Sequence, residues 1–210
     1  MNLQNEWYSL CKRLRMGPEP TKYLTHVKIA YSEPHRVYHT LEHVRDCLLL
    51  YHKTMHLTEY PIAIEVAAWF HDFVYDPLAD DNQKKSAERC LEWLKMGPED
   101  LALWDEVQGL ILATGHREAP ETNDQQIIAD IDLSILGAES GIYWSYAEDV
   151  REECEAIPDE RYIQRRIEML KGLLARDTVY WNPIFVDAFG LFAEENILAE
   201  LEQLQRLQRA

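Results

Sequence analysis

Long apolar runs are missing from this sequence. The longest apolar-rich stretch extends from Pro61 to Tyr75, and it is interrupted by Glu65, His71 and Asp72. A helix needs about 20 consecutive apolar residues to cross the hydrocarbon core of a bilayer, so this stretch is too short and too polar. The sequence therefore predicts no membrane-spanning segment.

Cysteine is scarce as well. The four cysteines are scattered along the chain without any CxxC spacing (Cys11, Cys47, Cys90 and Cys154). This pattern is typical of buried thiols in a reducing compartment. The first six residues also lack the basic region and apolar core of a secretion signal. We therefore expect a cytoplasmic protein.

Basic residues are in short supply. The chain has 21 Lys and Arg against 37 Asp and Glu, and its formal net charge is -16. An excess of this size repels polyanions, which argues against binding of bulk nucleic acid or of an anionic membrane. A small phosphorylated ligand remains compatible with it, because a metal centre and one or two arginines reverse the local field inside a pocket. The composition permits a monomer or a homodimer.

Strand-like alternation of apolar and polar residues is absent, and so are internal repeats and linkers rich in Pro, Gly or Ser. Apolar residues recur instead at steps of three and four, which indicates amphipathic helices such as one from Pro20 to Ser32 and another ending near Met55. The chain has 210 residues, 47% of them hydrophobic, enough for one substantial core. We predict an all-α, single-domain bundle of about nine or ten helices covering residues 1–210.

Two strong metal-ligand side chains, His71 and Asp72, stand side by side inside the apolar stretch. The stretch is predicted to form a helix that is apolar on nearly every side and therefore buried. A buried carboxylate is costly unless a cation, an arginine or a dense set of hydrogen bonds lies beside it. A metal ion shared with His71 meets this requirement. The alternative is a hydrogen-bonded core histidine followed by an aspartate at a helix end.

Two further histidines, His39 and His43, are four residues apart on the predicted helix that ends near Met55. This spacing places both imidazoles on one face of the helix, and Cys47 extends the same face. Two imidazoles on a buried, apolar strip indicate that something binds them. The alternative is one histidine in the N-terminal turn and one satisfied core histidine.

A later predicted helix carries two carboxylates, Asp130 and Asp132, within or beside its apolar stripe. Asp132 lies four residues after Ile128 and three residues before Ile135, which places it on the buried side. One solvent-facing acid would be ordinary in such a stripe, whereas two are not. We therefore take Asp132 as a candidate ligand, with Asp130 as the alternative.

Four candidate ligands thus lie on different predicted helices: His43, His71, Asp72 and Asp132. A mixed set of imidazole and carboxylate ligands suits Mn, Fe, Zn, Co or Ni. Magnesium prefers carboxylate and water, so a second, mostly hydrated position bridged by Asp72 would suit Mg. A divalent metal ion is therefore the expected cofactor.

Arg36 and His116 carry weaker signals of phosphate binding. The planar fork of Arg36 matches phosphate oxygens, but the same residue is equally suited to a structural ion pair at the helix entry. His116 is predicted just past a helix C-terminus, where it interacts with the helix dipole or lines a pocket for a metal or phosphate. All eight histidines lie at or before this position, so the last third is predicted to be scaffold.

The order His43, His71-Asp72, Asp132 resembles the metal-binding signature of the HD-domain superfamily of phosphohydrolases, an all-helical fold named for its adjacent His-Asp pair. The segment YHTLEH, which ends at His43, resembles the YHNxxH motif of cyclic-nucleotide phosphodiesterases, and IDLS, which contains Asp132, resembles their ADLS segment. Over its full length the chain is similar to small bacterial proteins described as predicted metal-dependent HD phosphohydrolases.

The resemblance implies that His39 is the general acid and that His43, His71, Asp72 and Asp132 bind metal. Two features depart from the phosphodiesterase pattern. Tyr75 stands where the last histidine of HDxxH would be, and the substrate-binding glutamine region has no counterpart.

The expected function is that of a metal-dependent phosphohydrolase, in which a metal-activated water attacks a small, nucleotide-like phosphorylated substrate. In this scheme His39 protonates the leaving oxygen, and Asp72 is both a ligand and part of the catalytic centre. Two alternatives are a non-catalytic nucleotide or metal sensor and an HD-type diiron oxygenase. The oxygenase would need additional histidines for its second iron, and His116 is the single one between Asp72 and Asp132.

Overall fold

The computed structural model describes residues 1–209, and within them the chain forms α-helices and short 3₁₀ helices without any strand. The all-α prediction is therefore confirmed. The predicted count of nine or ten is also confirmed if the two short helices between Pro18 and Ala30 are counted as the single helix that the sequence predicts there. In the part of the chain that the structure describes, no helix is both long and apolar enough to span a membrane.

The chain divides into two compact units, Met1–Ile131 and Asp132–Ala210. The boundary falls before Asp132, the last residue of a helix whose other residues belong to the first unit. The expectation of a single domain stays a prediction.

The first unit contains eight α-helices, α1 to α8, and one 3₁₀ helix, Met55–Leu57, after α4. Their bounds are α1 Leu3–Arg13, α2 Pro18–Lys22, α3 Leu24–Ala30, α4 Leu41–Thr54, α5 Pro61–Phe70, α6 Asn82–Leu94, α7 Leu101–Ala113 and α8 Asn123–Asp132.

Helix α5 is the centre of the first unit. It packs against α1, α4, α6 and α7, and every residue from Ala63 to Phe70 is buried. The indole ring of Trp7 contacts Trp69 and Phe70 of α5 and Trp93 of α6, with ring centroids 4.9 to 6.1 Å apart. Because α5 is covered on all sides, the residues that follow its last turn are carried into the interior of the unit.

Glu65 is the one charged residue of α5, and its carboxylate is 1% exposed. Arg13 of α1 donates through Nη2 to both carboxylate oxygens, at 2.5 and 2.6 Å. Burial, and then the charge of Glu65, raises the pKa of Tyr51 well above its usual value. A buried carboxylate in this unit is thus neutralised by a cation, as the cost of burying a charge requires.

The second unit begins with the 3₁₀ helix Leu133–Gly137 and continues with α9 Ser140–Glu153, α10 Asp159–Leu174 and α11 Pro183–Arg209. Helix α11 packs against the 3₁₀ helix, α9 and α10. Gly137 permits the closest approach, because a Cβ atom there would lie 2.5 Å from the Cβ atom of Phe189. A buried ion pair joins Arg166 of α10 to Glu200 of α11, with Nε to Oε1 at 2.8 Å and Nη2 to Oε2 at 3.0 Å.

Candidate metal centre

Helix α4 places His43 in its first turn. The helix begins at Leu41 because the hydroxyl of Thr40 accepts the N–H of Glu42 at 3.3 Å, as an N-cap residue does. His39 therefore precedes the helix, and the prediction that His39 and His43 share one helical face is wrong. The preceding loop nevertheless brings the two rings together, with centroids 5.8 Å apart and planes at 76°.

His71 and Asp72 follow directly after α5. The helix ends at Phe70, and His71 is the C-cap, with its N–H bonded to the carbonyl of Ala67 at 2.8 Å. The prediction that this helix extends to Tyr75 is thus wrong, whereas the predicted burial of both side chains is confirmed. His71 and Asp72 therefore lie at a buried helix end, where the turn of the chain allows both side chains to approach one ion.

The ring of His71 is oriented by the backbone of its own helix. Its Nδ1 lies 3.2 Å from the carbonyl oxygen of Ala68, an arrangement in which Nδ1–H donates and Nε2 carries the lone pair. This second nitrogen lies 3.0 Å from Nε2 of His43 and 3.1 Å from Oδ2 of Asp72. A backbone carbonyl that fixes the tautomer in this way is typical of histidines that bind metal.

Four side chains offer ligand atoms that all lie within 4.8 Å of one another: His43, Cys47, His71 and Asp132. Two nitrogen ligands bound about 2.1 Å from one ion lie about 3.0 Å apart at the right angle of octahedral coordination and about 3.4 Å apart in tetrahedral coordination. The separation of the two Nε2 atoms agrees with the octahedral value. The donor atoms of this group therefore fit a divalent ion. They do not identify which ion.

Cys47 is the member of this group that the sequence analysis did not propose as a ligand. Its Sγ lies 3.7 Å from Nε2 and 3.9 Å from Nδ1 of His43. The signal in the sequence was the spacing of four residues between His43 and Cys47 on one helix, which places both on the same face. Sulfur and imidazole together suit Zn²⁺ and other borderline or soft ions better than Mg²⁺.

Asp72 lies beside this group without being one of its four members. Its Oδ2 is 3.1 Å from Nε2 of His71, 3.8 Å from Nε2 of His43 and 4.0 Å from Nε2 of His39. The carboxylate thus lies between the two buried imidazoles and the more accessible His39, whose side chain is 20% exposed. Its predicted roles as ligand and as part of the catalytic centre stay predictions.

The two carboxylates of α8 differ in burial. Asp130 is completely buried, whereas Asp132, the last residue of the helix, is half-buried. Asp132 is the one whose oxygen belongs to the group of four candidate ligand atoms. The structure therefore brings Asp132 to the centre, although the apolar pattern predicted a more deeply buried position for it.

Helix α8 is held in place at its other end by Asp124, which is buried. Its carboxylate accepts the backbone N–H of Glu59 at 2.9 Å and that of Tyr60 at 2.7 Å, just before α5 begins. Asn123 donates to the carbonyl of Leu57 at 2.8 Å. These contacts fix the start of α8 to the segment that starts α5, the helix that His71 follows.

Arg36 lies next to the centre, and its side chain is fully buried. It forms an ion pair with Glu33, from Nε to Oε2 at 3.0 Å, and donates to the carbonyls of His39, Asp72 and Phe73 at 2.8 to 3.1 Å. The predicted contact with a phosphate stays a prediction, but the alternative of an ion pair at the helix entry is present. Burial, and then the nearby Asp72, raises the pKa of Tyr31, whose ring lies under Arg36.

His116 lies two residues beyond Thr114, the C-cap of α7. Its predicted position just past a helix C-terminus is therefore confirmed. It is half-buried and has a positive φ of 53°. Its neighbour Arg117 donates to the carbonyl of Asp80 at 2.6 Å, which places this loop beside the start of α6. The predicted contact of His116 with the substrate stays a prediction.

No protein-family model, no curated protein and no solved structure matches this chain. Function is therefore argued from the residues of the centre and their geometry.

Proposed function

We propose that this protein is a metal-dependent phosphohydrolase that acts on a small, nucleotide-like phosphorylated substrate. The observation that carries the proposal is the approach of two buried imidazole nitrogens to 3.0 Å, with the carboxylates of Asp72 and Asp132 beside them. At this separation either one imidazole donates a hydrogen bond to the other, or both nitrogens face a cation. The resemblance of the sequence to the HD-domain superfamily supports a metal cation as the group that lies between them.

The residues that hold the ion in this proposal are His43, His71, Asp72 and Asp132. The proposed ion is Mn, Fe, Zn, Co or Ni. If the centre holds two ions, the second is a mostly hydrated Mg beside Asp72. A divalent ion bound there lowers the pKa of water and neutralises charge on a phosphoryl oxygen. In a chain with a net charge of -16, such a centre is also what attracts an anionic substrate.

His39 is proposed to donate the proton to the leaving oxygen. It is the most exposed of the three imidazoles around Asp72, so a bound substrate can reach it. The ring of Tyr75 lies against it, with centroids 4.3 Å apart and planes at 29°, and holds its orientation. Imidazole suits this role because its ordinary pKa lies close to neutral pH.

Arg36 and His116 are the two residues predicted from the sequence to contact substrate phosphate. Arg36 already makes four hydrogen bonds, one to Glu33 and three to backbone carbonyls, and its side chain is fully buried. His116, in the half-exposed loop after α7, is the more accessible of the two.

Cys47 favours a second candidate function, that of a non-catalytic metal-binding sensor. Four protein ligands including a thiolate are typical of closed, structural zinc sites, whereas catalytic sites keep a position open for water or substrate. If Cys47 binds the ion together with His43, His71 and Asp132, the centre is closed. If Asp72 binds in its place, the four ligands are imidazole and carboxylate alone, a set that suits a six-coordinate ion with two positions left for water or substrate.

The proposed setting is the cytoplasm, with the protein as a monomer or a homodimer, and with small phosphorylated molecules rather than bulk nucleic acid as partners. The acidic net charge supports the exclusion of polyanions. The buried thiols of Cys11, Cys47 and Cys90 support a reducing compartment.

A screen for phosphate release tests the function. Chelator-stripped protein is reloaded with Mn²⁺, Co²⁺, Ni²⁺, Zn²⁺ or Mg²⁺ and offered nucleoside monophosphates, cyclic nucleotides and sugar phosphates. The proposal expects metal-dependent release that disappears in His71→Ala. Tight binding of metal without release from any substrate would favour the sensor.

A further inference from the structure

Arg36 connects the two segments of chain that carry His39 and Asp72. Its Nη1 donates to the carbonyl of His39 at 3.0 Å and to that of Asp72 at 2.8 Å, and its Nη2 donates to the carbonyl of Phe73 at 3.1 Å. The first carbonyl belongs to the loop before α4, and the other two belong to the turn after α5. One guanidinium group therefore fixes both segments at once.

The surroundings of Arg36 hold the guanidinium group itself in place. Glu33 accepts from Nε at 3.0 Å and neutralises the charge. The rings of Tyr31 and Tyr75 lie 5.0 and 5.3 Å from the central carbon of the group. Tyr75 in turn lies against His39, so the arginine also supports that imidazole through the tyrosine ring. Glu33, the two tyrosine rings and the three carbonyls together fix the position and the plane of the guanidinium group.

We propose that Arg36 is a positioning residue that fixes Asp72 relative to His39, and that the affinity of the centre for metal depends on Arg36 through the placement of Asp72. This inference rests on the proposed function, since the centre it supports is the one that function uses. The relevant separation is the 4.0 Å between Nε2 of His39 and Oδ2 of Asp72. In this role Arg36 acts through the backbone of the two segments and needs no contact with substrate.

The geometry requires arginine at this position. A guanidinium group has five N–H donors in a rigid plane, so it can serve Glu33 on one edge and several carbonyls on the others. A lysine ammonium keeps the charge but presents its donors from a single atom. Arg36→Lys should therefore preserve the charge and lose the connection between the segments.

The test compares Arg36→Lys with Arg166→Lys. Arg166 is a suitable control because it is equally buried and makes hydrogen bonds to Glu200 and Tyr146 within the second unit. Calorimetric titration of chelator-stripped proteins with Mn²⁺ or Zn²⁺ gives the affinity for metal. Changes in residues that orient metal ligands typically lower affinity about 10-fold to 100-fold. We expect a loss of that size for Arg36→Lys and a change below about 2-fold for Arg166→Lys.

Amide hydrogen exchange of the metal-free proteins supplies a second measurement. Arg36→Lys should raise exchange in peptides covering residues 37–43 and 71–76, whereas Arg166→Lys should leave both unchanged. Affinity and exchange in Arg36→Lys equal to those of the wild type would overturn the proposal, as would equal losses of affinity in both variants. If the wild type releases no phosphate, the proposed function fails while this comparison still holds. If the wild type binds no metal, the claim about metal affinity is overturned, and the exchange of the two peptides tests whether Arg36 positions the two segments.

Discussion

Nε2 of His43 and Nε2 of His71 lie 3.0 Å apart, although 28 residues separate the two histidines in the sequence. Both side chains are buried. His71 uses its other nitrogen to donate to Ala68, so its Nε2 is an acceptor. The position between the two rings is therefore suited to a cation, and the carboxylates nearby supply compensating charge.

His39→Ala should lower the rate of phosphate release about 100-fold to 10,000-fold, because a general acid contributes a factor of this size. Metal content should stay unchanged, since His39 is not among the grouped ligand atoms. Steady-state kinetics and metal analysis of the same preparation measure both quantities. His56→Ala, at an exposed position, is the matched control. Turnover that survives in His39→Ala would remove it as the acid.

Cys47→Ser should reveal which ligand set the centre uses. If the thiolate binds the ion, the Co²⁺-loaded wild type shows a sulfur-to-cobalt charge-transfer band in the near ultraviolet, and the variant loses it. The proposed phosphohydrolase, with Asp72 as the ligand, predicts no such band and retained turnover in Cys47→Ser. A strong band together with an inactive wild type would favour the closed, non-catalytic site.

Asp132→Asn and Asp130→Asn should separate ligation from folding. The first should weaken metal binding at least about 10-fold with little change in stability, because its half-buried carboxylate belongs to the ligand group. The second should lower the melting temperature and keep the metal, because Asp130 is completely buried and its carboxylate is not in that group. The reverse outcome would make Asp130 the ligand.

Arg166→Met should lower the free energy of unfolding by about 3–5 kcal/mol, because it leaves the buried carboxylate of Glu200 without its cation. Burial opposes the charge of Arg166, but the hydrogen bonds and the charge of Glu200 outweigh it and hold the pKa of Arg166 well above its usual value. Arg206→Ala breaks an exposed pair with Glu202 and should cost less than about 1 kcal/mol. Urea unfolding monitored by circular dichroism measures both. Equal losses of unfolding free energy in the two variants would contradict the larger contribution expected of the buried ion pair.

The helical class and the burial of the His-Asp pair could be predicted from the sequence because both follow from the spacing of apolar residues. The end of α5 could not, since the apolar pattern continues to Val74 while the helix stops at Phe70. The segment after it is held by contacts from distant residues. Arg36 donates to the carbonyls of Asp72 and Phe73, and the hydroxyl of Ser86 accepts the N–H of Val74.

The predicted helix from Pro20 to Ser32 is interrupted for a similar reason. The carbonyl of Thr21 accepts the indole N–H of Trp7, and that of Pro20 accepts the indole N–H of Trp93. These two tryptophans lie 14 and 73 residues away in the sequence, and their bonds fall where the chain divides into α2 and α3, at Tyr23, whose N–H also donates to the carbonyl of Pro20. Local propensity carries no information about such partners.

Anomalous diffraction recorded on both sides of a metal absorption edge, from crystals of protein reloaded with Mn²⁺ or Zn²⁺, tests the central claim most directly. We predict one strong peak within bonding distance of Nε2 of His43, Nε2 of His71 and a carboxylate oxygen of Asp132. The absence of a peak there, with ordered side chains pairing directly with one another, would contradict the metal centre and the function proposed from it.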